Sequence, residues 1–161
     1  GIIGGRADLI AEIKKEPFFR AVRCDKLILT TLQESIDQYL EVRADPASSD
    51  VPVLTFLGTS TKDLRDRAEK ILSGFSSGNV AVSIEDTLAR PGGGTMPRAE
   101  FPSIALKLVP SNQSVPKLAK KLRVGSPALV GYTTDDALFL DLRTIFPADD
   151  ACVAKALAQV L

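Results

Sequence analysis

The chain has 161 residues, 45% of them apolar and 25% charged, which suits one compact domain, or a small domain joined to a piece of a larger one. Twenty Lys and Arg balance twenty Asp and Glu, so no overall basic excess would drive the chain onto nucleic acid. Histidine is absent, which removes Ser-His-Asp and Cys-His catalysis and every His-ligated metal site.

In chain order, Gly1-Ile2-Ile3-Gly4-Gly5 is an apolar, glycine-rich opening expected to be internal to a fold. Arg6 to Glu16 reads as a helix with Ala7, Ile10 and Ile13 at helical spacing, stopped by Pro17. A second helix carries Leu29, Leu32, Ile36 and Leu40 at spacings of three and four, with Asp25 as its N-cap or first-turn acid. Arg43 to Asp50 is polar, with Pro46 and two serines, and marks a boundary. The expected organisation is therefore residues 1–45 as a helical segment and 46–161 as a separate unit.

Beyond that boundary, Val51 to Leu57 reads as extended. Ser60 and Asp63 form a weak capping box ahead of a helix bearing Leu64, Ala68, Ile71, Leu72 and Phe75 on one side. Val80, Val82 and Ile84 alternate with polar or small residues, and so do Ile104, Leu106 and Leu108, as strands do. Ser114 to Leu122 is a short helix with a basic face. Ala128 to Tyr132 and Leu138 to Leu142 make a hairpin turning near Thr134-Asp135-Asp136, and Ala148 to Leu161 is a terminal helix. One face of each alternating strand needs cover, and the amphipathic helices supply it. The predicted fold class is α+β: a two-layer sandwich with a mostly antiparallel sheet covered by helices, preceded by the helical segment.

Several side chains are candidates for chemistry. Arg20 and Arg23, three apart, would share a face of a helix and form a phosphate clamp, with Phe18 and Phe19 packing the segment down. The plain alternative is two solvated arginines. Gly92-Gly93-Gly94 offers unobstructed backbone N–H groups to an anion, or is simply a connection between strands. It is neither a Walker loop nor a dinucleotide fingerprint. Lys117, Lys120, Lys121 and Arg123 form either a solvated helix face or a contact with RNA or a partner. Asp135-Asp136 and Asp149-Asp150 fit a turn and a helix start better than a metal site. No apolar run approaches the roughly 20 residues of a membrane span, and two cysteines are too few for a disulfide framework. The expected location is the cytoplasm.

Four segments carry a resemblance. Gly1-Ile2-Ile3 with Gly5 is similar to a Gly-Ile-Ile-Val-Gly block, and Arg20-Ala21-Val22-Arg23-Cys24-Asp25-Lys26 to Arg-Ala-Leu-Arg-x-Asp-Lys. Gly92-Gly93-Gly94-Thr95-Met96-Pro97, then Phe101-Pro102-Ser103, resembles Gly-Gly-Gly-Ser-Leu-Pro and Leu-Pro-Ser. Leu140-Asp141-Leu142-Arg143-Thr144 resembles a closing Leu-Asp-Leu-Arg-Thr. Together, in order and in register, these blocks resemble the C-terminal portion of the bacterial selenocysteine synthases, the L-seryl-tRNA(Sec) selenium transferases.

The resemblance implies a fold-type-I pyridoxal 5′-phosphate (PLP) enzyme that converts seryl-tRNA(Sec) to selenocysteinyl-tRNA(Sec) with selenophosphate, PLP serving as the electron sink. It implies that residues 46–161 are the small domain, and 1–45 the end of the large domain with its connecting helix. It also implies that Arg20 and Arg23 bind the anionic selenium donor. The PLP lysine would lie upstream of Gly1, so no residue here takes that role. Contact with tRNA(Sec) through an N-terminal region, and a homo-oligomer built through the large domain, are implied too. Two other readings stay open: a PLP lyase acting on an amino-sugar phosphate, and a non-catalytic assembly module.

Overall fold

A computed structural model of the chain describes residues 2–41, 51–75, 78–92 and 98–161. It divides into two compact units, Gly1–Ala44 and Asp45–Leu161.

The first unit is helical. Helix α1 (Ala7–Lys15) ends where Glu16, the residue before Pro17, turns extended at φ −60°, ψ 129°, as the proline ring requires. A 3-10 turn over Pro17–Arg20 follows. Helix α2 (Lys26–Glu41) is capped as the sequence predicts: the Ile28 N–H donates to Asp25 Oδ1 at 2.9 Å. No described residue of this unit is buried, and Leu29, Leu32, Ile36 and Leu40 are all exposed.

The second unit is α+β. Helices α3 (Pro52–Gly58) and α4 (Thr61–Leu72) precede strands β1 (Val80–Ala89) and β2 (Phe101–Pro110). Helix α5 (Val115–Val124), strands β3 (Tyr132–Thr134) and β4 (Ala137–Asp141), and helix α6 (Asp150–Leu157) follow. The described strands form one antiparallel sheet in the order β1-β2-β4-β3. Ser60 caps α4, its Oγ accepting from the Asp63 N–H at 3.1 Å and donating to the Asp63 carboxylate at 2.7 Å.

Register explains the core. Ile84 pairs with Leu106, and Leu106 with Leu140, so these side chains lie on one face of the pleat. That face packs on Leu64, Ala68 and Ile71 of α4, Leu118 and Leu122 of α5, and Val153 and Leu157 of α6. Each fully buried leucine or isoleucine contributes about 1.5–3 kcal/mol. The other face carries Lys107, Phe139 and Tyr132 in a row across three strands.

Three expectations need correction. Val51 to Leu57 is not extended: Pro52 sits at the first turn of α3, where its fixed φ suits a helix. The first hairpin strand begins at Tyr132, not Ala128, because the Leu129 N–H is spent on the Leu122 carbonyl at the end of α5. The last helix begins at Asp150, after a 3-10 turn over Pro147–Asp149. The hairpin turn stands as expected: Asp135 and Asp136 have φ of 47° and 57°. That left-handed pair is the geometry a two-residue hairpin favours and Asp tolerates.

Candidate functional site

Arg20 closes the 3-10 turn and Arg23 lies in the irregular link before α2. The pair therefore does not share a face of a continuous helix. Phe18 is 75% exposed and does not pack the segment down. Among the described residues neither arginine has a hydrogen-bond or ion-pair partner, so both guanidinium forks are available to an anion. Cys24, directly after Arg23, is exposed and free.

Of the glycine loop, Gly93 and Gly94 lie outside the described residues. At Gly92 an added Cβ would meet nothing within 4 Å, so packing does not demand glycine there. Arg90, just before the loop, donates to Glu100, just ahead of β2. A groove of about 290 Å³ opens nearby, lined among others by Arg90, Gly131, Tyr132, Phe139, Asp141 and Thr144. Gly131 is required by close approach: a Cβ there would lie 2.3 Å from the Phe139 carbonyl oxygen. Tyr132 stacks on Phe139 with ring centroids 5.3 Å apart, and Lys107 lies over the same phenylalanine. Burial pushes the Tyr132 phenol above its ordinary value, and the nearby Asp141 charge adds to that.

Asp141 and Arg143 anchor the unit. Ser103 Oγ and the Arg143 N–H both donate to Asp141 Oδ1. Arg143, 6% exposed, donates to the carbonyls of Phe56 at 2.6 Å, Thr59 at 2.9 Å, and Pro102. Burial pulls its pKa down, opposed by the Asp141 charge. Arg67 of α4 makes a second clamp. It forms a bidentate pair with Asp150 at 2.6 and 2.9 Å, and also donates to the Leu142 and Ile145 carbonyls. The Leu-Asp-Leu-Arg-Thr block is thus a joint that ties α3, α4, β2 and α6 together.

Sequence reasoning missed both clamps. A signal for Arg67 existed: it lies three residues after Leu64 and four before Ile71, a charge on the apolar stripe of α4. Asp150 answers it, so the Asp149-Asp150 pair is more than a helix-start preference. Among the described residues no group of three or more Cys, Asp or Glu is placed to hold a metal, and no helix is long and apolar enough to cross a membrane.

The residues described do not build a PLP attachment site. No lysine lines the large groove, or the smaller one at the β3–β4 turn. What the chain offers is an unpaired arginine couple in the first unit and a rigid α+β scaffold in the second.

Comparison with known proteins is consistent across the chain. The sequence model of the L-seryl-tRNA selenium transferase family matches residues 1–146. An L-seryl-tRNA(Sec) selenium transferase of Aquifex aeolicus (strain VF5) is 36% identical over 164 aligned residues, covering 100% of this chain and 35% of the relative. That of Moorella thermoacetica is 35% identical over 100% of the chain and 34% of the relative. That of Hyphomonas neptunium (strain ATCC 15444) is 34% identical over 99% and 34%. The chain spans about a third of the length of these curated relatives.

Proposed function

The chain belongs to the L-seryl-tRNA selenium transferase family, and from that premise we propose that it is the C-terminal part of a PLP-dependent enzyme converting seryl-tRNA(Sec) to selenocysteinyl-tRNA(Sec) with selenophosphate. The observation that carries this reading is the family match across 146 of the 161 residues. Residues 1–45 then close the large domain and residues 46–161 form the small one. PLP supplies the electron sink for loss of the serine hydroxyl. It is held by residues outside these 161, so the fragment alone does not catalyse the reaction. The reading also includes a cytoplasmic homo-oligomer assembled through the large domain, with tRNA(Sec) held by an N-terminal region.

Within that enzyme, Arg20 and Arg23 bind the phosphate-bearing selenium donor. Two planar forks without carboxylate partners match the paired oxygens of a phosphate. They stand in a 3-10 turn and an irregular link rather than on one helix face. The stretch Gly92-Gly93-Gly94 belongs to the substrate-binding part of this reading, on the chemistry of unobstructed glycine N–H groups. The second unit holds its own shape through Arg67 and Arg143.

The test uses the full-length protein. Wild type should form selenocysteinyl-tRNA from seryl-tRNA(Sec) and selenophosphate; absence of that product overturns the assignment. Replacing Arg20 and Arg23 together with Ala should raise the donor concentration for half-maximal transfer about 10- to 100-fold, as loss of charge-assisted hydrogen bonds does. Seryl-tRNA affinity should stay within about twofold by that account. The reverse pattern removes both arginines as donor ligands.

A further inference from the structure

We propose that the solvent face of α5 is a contact for an RNA phosphate backbone. Between Phe101 and Thr134 the sequence holds five cations and no Asp or Glu, which leaves the rest of this net-neutral chain with an excess of five acids. Charge is therefore segregated, and four of the five cations fall on one ten-residue helix: Lys117, Lys120, Lys121 and Arg123. At about 100° per residue, the three lysines occupy an arc of about 100°, with Arg123 about 60° beyond. Leu118 and Leu122 on the opposite side are buried in the core. All four cations are exposed, and among the described residues none has a carboxylate partner. Lys121 Nζ is tied to the Gln159 carbonyl at 2.8 Å, which leaves Lys117, Lys120 and Arg123 unengaged along about 9 Å of helix axis.

The chemistry favours phosphate polymer over the other anionic partners. A membrane-surface helix needs an apolar face to insert, and the apolar face of α5 is spent on the core. A protein interface draws its energy from aromatic and apolar anchors, with lysine depleted, and α5 carries no aromatic residue. Unpaired lysines and arginine on a rigid helix suit phosphates, where each contact releases counterions. The choice of RNA among phosphate polymers rests on the function proposed above, and the contact adds to any made by an N-terminal region.

The experiment measures fluorescence anisotropy of a labelled tRNA(Sec) transcript against the full chain over a range of salt. The variant Lys117→Gln/Lys120→Gln/Arg123→Gln is compared with a control of equal charge change, Lys62→Gln/Lys70→Gln/Lys155→Gln. The α5 variant should weaken binding about tenfold at low salt and reduce the log–log salt slope by about 2. The control should change neither by more than a third as much. Equal loss in both variants, or an unchanged slope, overturns the proposal. So does binding to anionic phosphatidylserine vesicles or to a polyglutamate peptide without binding to RNA. Thermal unfolding followed by circular dichroism should be nearly the same for all three proteins, since every altered side chain is exposed and the control breaks only the surface Lys62–Asp66 pair. Selenium transfer, measured in the full-length enzyme, separates the two readings. Transfer without an α5 effect sinks this contact alone, whereas an α5 effect without transfer sinks the enzymatic assignment and leaves an RNA-binding surface.

Discussion

Replacing Arg143 with Ala should cost the second unit about 3–5 kcal/mol, the range for removing one partner from a buried charged cluster. The guanidinium gathers three main-chain carbonyls, those of Phe56, Thr59 and Pro102, with its two terminal nitrogens. Its Nε is buried without a partner, so the clamp rests on those two nitrogens. Three hydrogen bonds to a charged donor, at about 1.5–3 kcal/mol each, give roughly 4.5–9 kcal/mol, which overlaps the top of that range and runs beyond it. Relief of the cation's own desolvation offsets part of the sum. The orphaned carbonyls of Phe56 and Thr59, on half-buried residues, must then find water or stay unpaired. Urea unfolding of the full chain, followed by far-ultraviolet circular dichroism, should show the midpoint fall by roughly 1.5–2.5 M at a slope of about 2 kcal/mol per molar. Arg143→Lys should recover less than half of the loss, because one ammonium cannot span carbonyls on α3 and β2 together. An alanine variant within about 1 kcal/mol of wild type, the ordinary effect of a point substitution, would show that the joint is not held by this side chain.

Two further outcomes follow from the groove. Gly131→Ala should destabilise the unit by about 1–3 kcal/mol, because the new Cβ would press on the Phe139 oxygen and on Leu140; unchanged urea unfolding would refute the close approach. Tyr132 keeps its proton more tightly when folded, so its contribution to stability is complete below pH 10.0 and is lost as pH rises through that value toward the folded pKa. In a Tyr39→Phe background the phenolate absorbance of the native chain should have its midpoint above 10.0, and a midpoint at or below it removes the effect.

Much of the fold was readable because its causes are local. The Asp25 and Ser60 caps, the apolar stripe of α4, the alternation in β1 and β2, and the left-handed Asp135-Asp136 turn each follow from a few neighbouring residues. Val51 to Leu57 misled because a short apolar run fits a strand or a helix equally. What holds α3 is Arg143, whose bond to the Phe56 carbonyl spans 87 residues, and no local pattern contains that. The same distance hid the role of Leu140 to Thr144, which reads as a family signature and turns out to be a mechanical joint. For Arg20 and Arg23 the spacing implies one helix face, whereas Pro17 starts a short 3-10 turn that ends at Arg20.

The joint at Arg143 also bears on synthesis. A ribosome delivers α3 well before the residue that secures it. At roughly 5–20 residues per second, the 87 residues from Phe56 to Arg143 take about 4–17 s to appear. During that interval α3 exists without the side chain that secures its end. The β1–β2 pair joins segments close in the chain, so it can form in the meantime and wait as a template for β4. Attachment of α3 is thereby timed by the arrival of Arg143, and a pause in translation before that residue delays it.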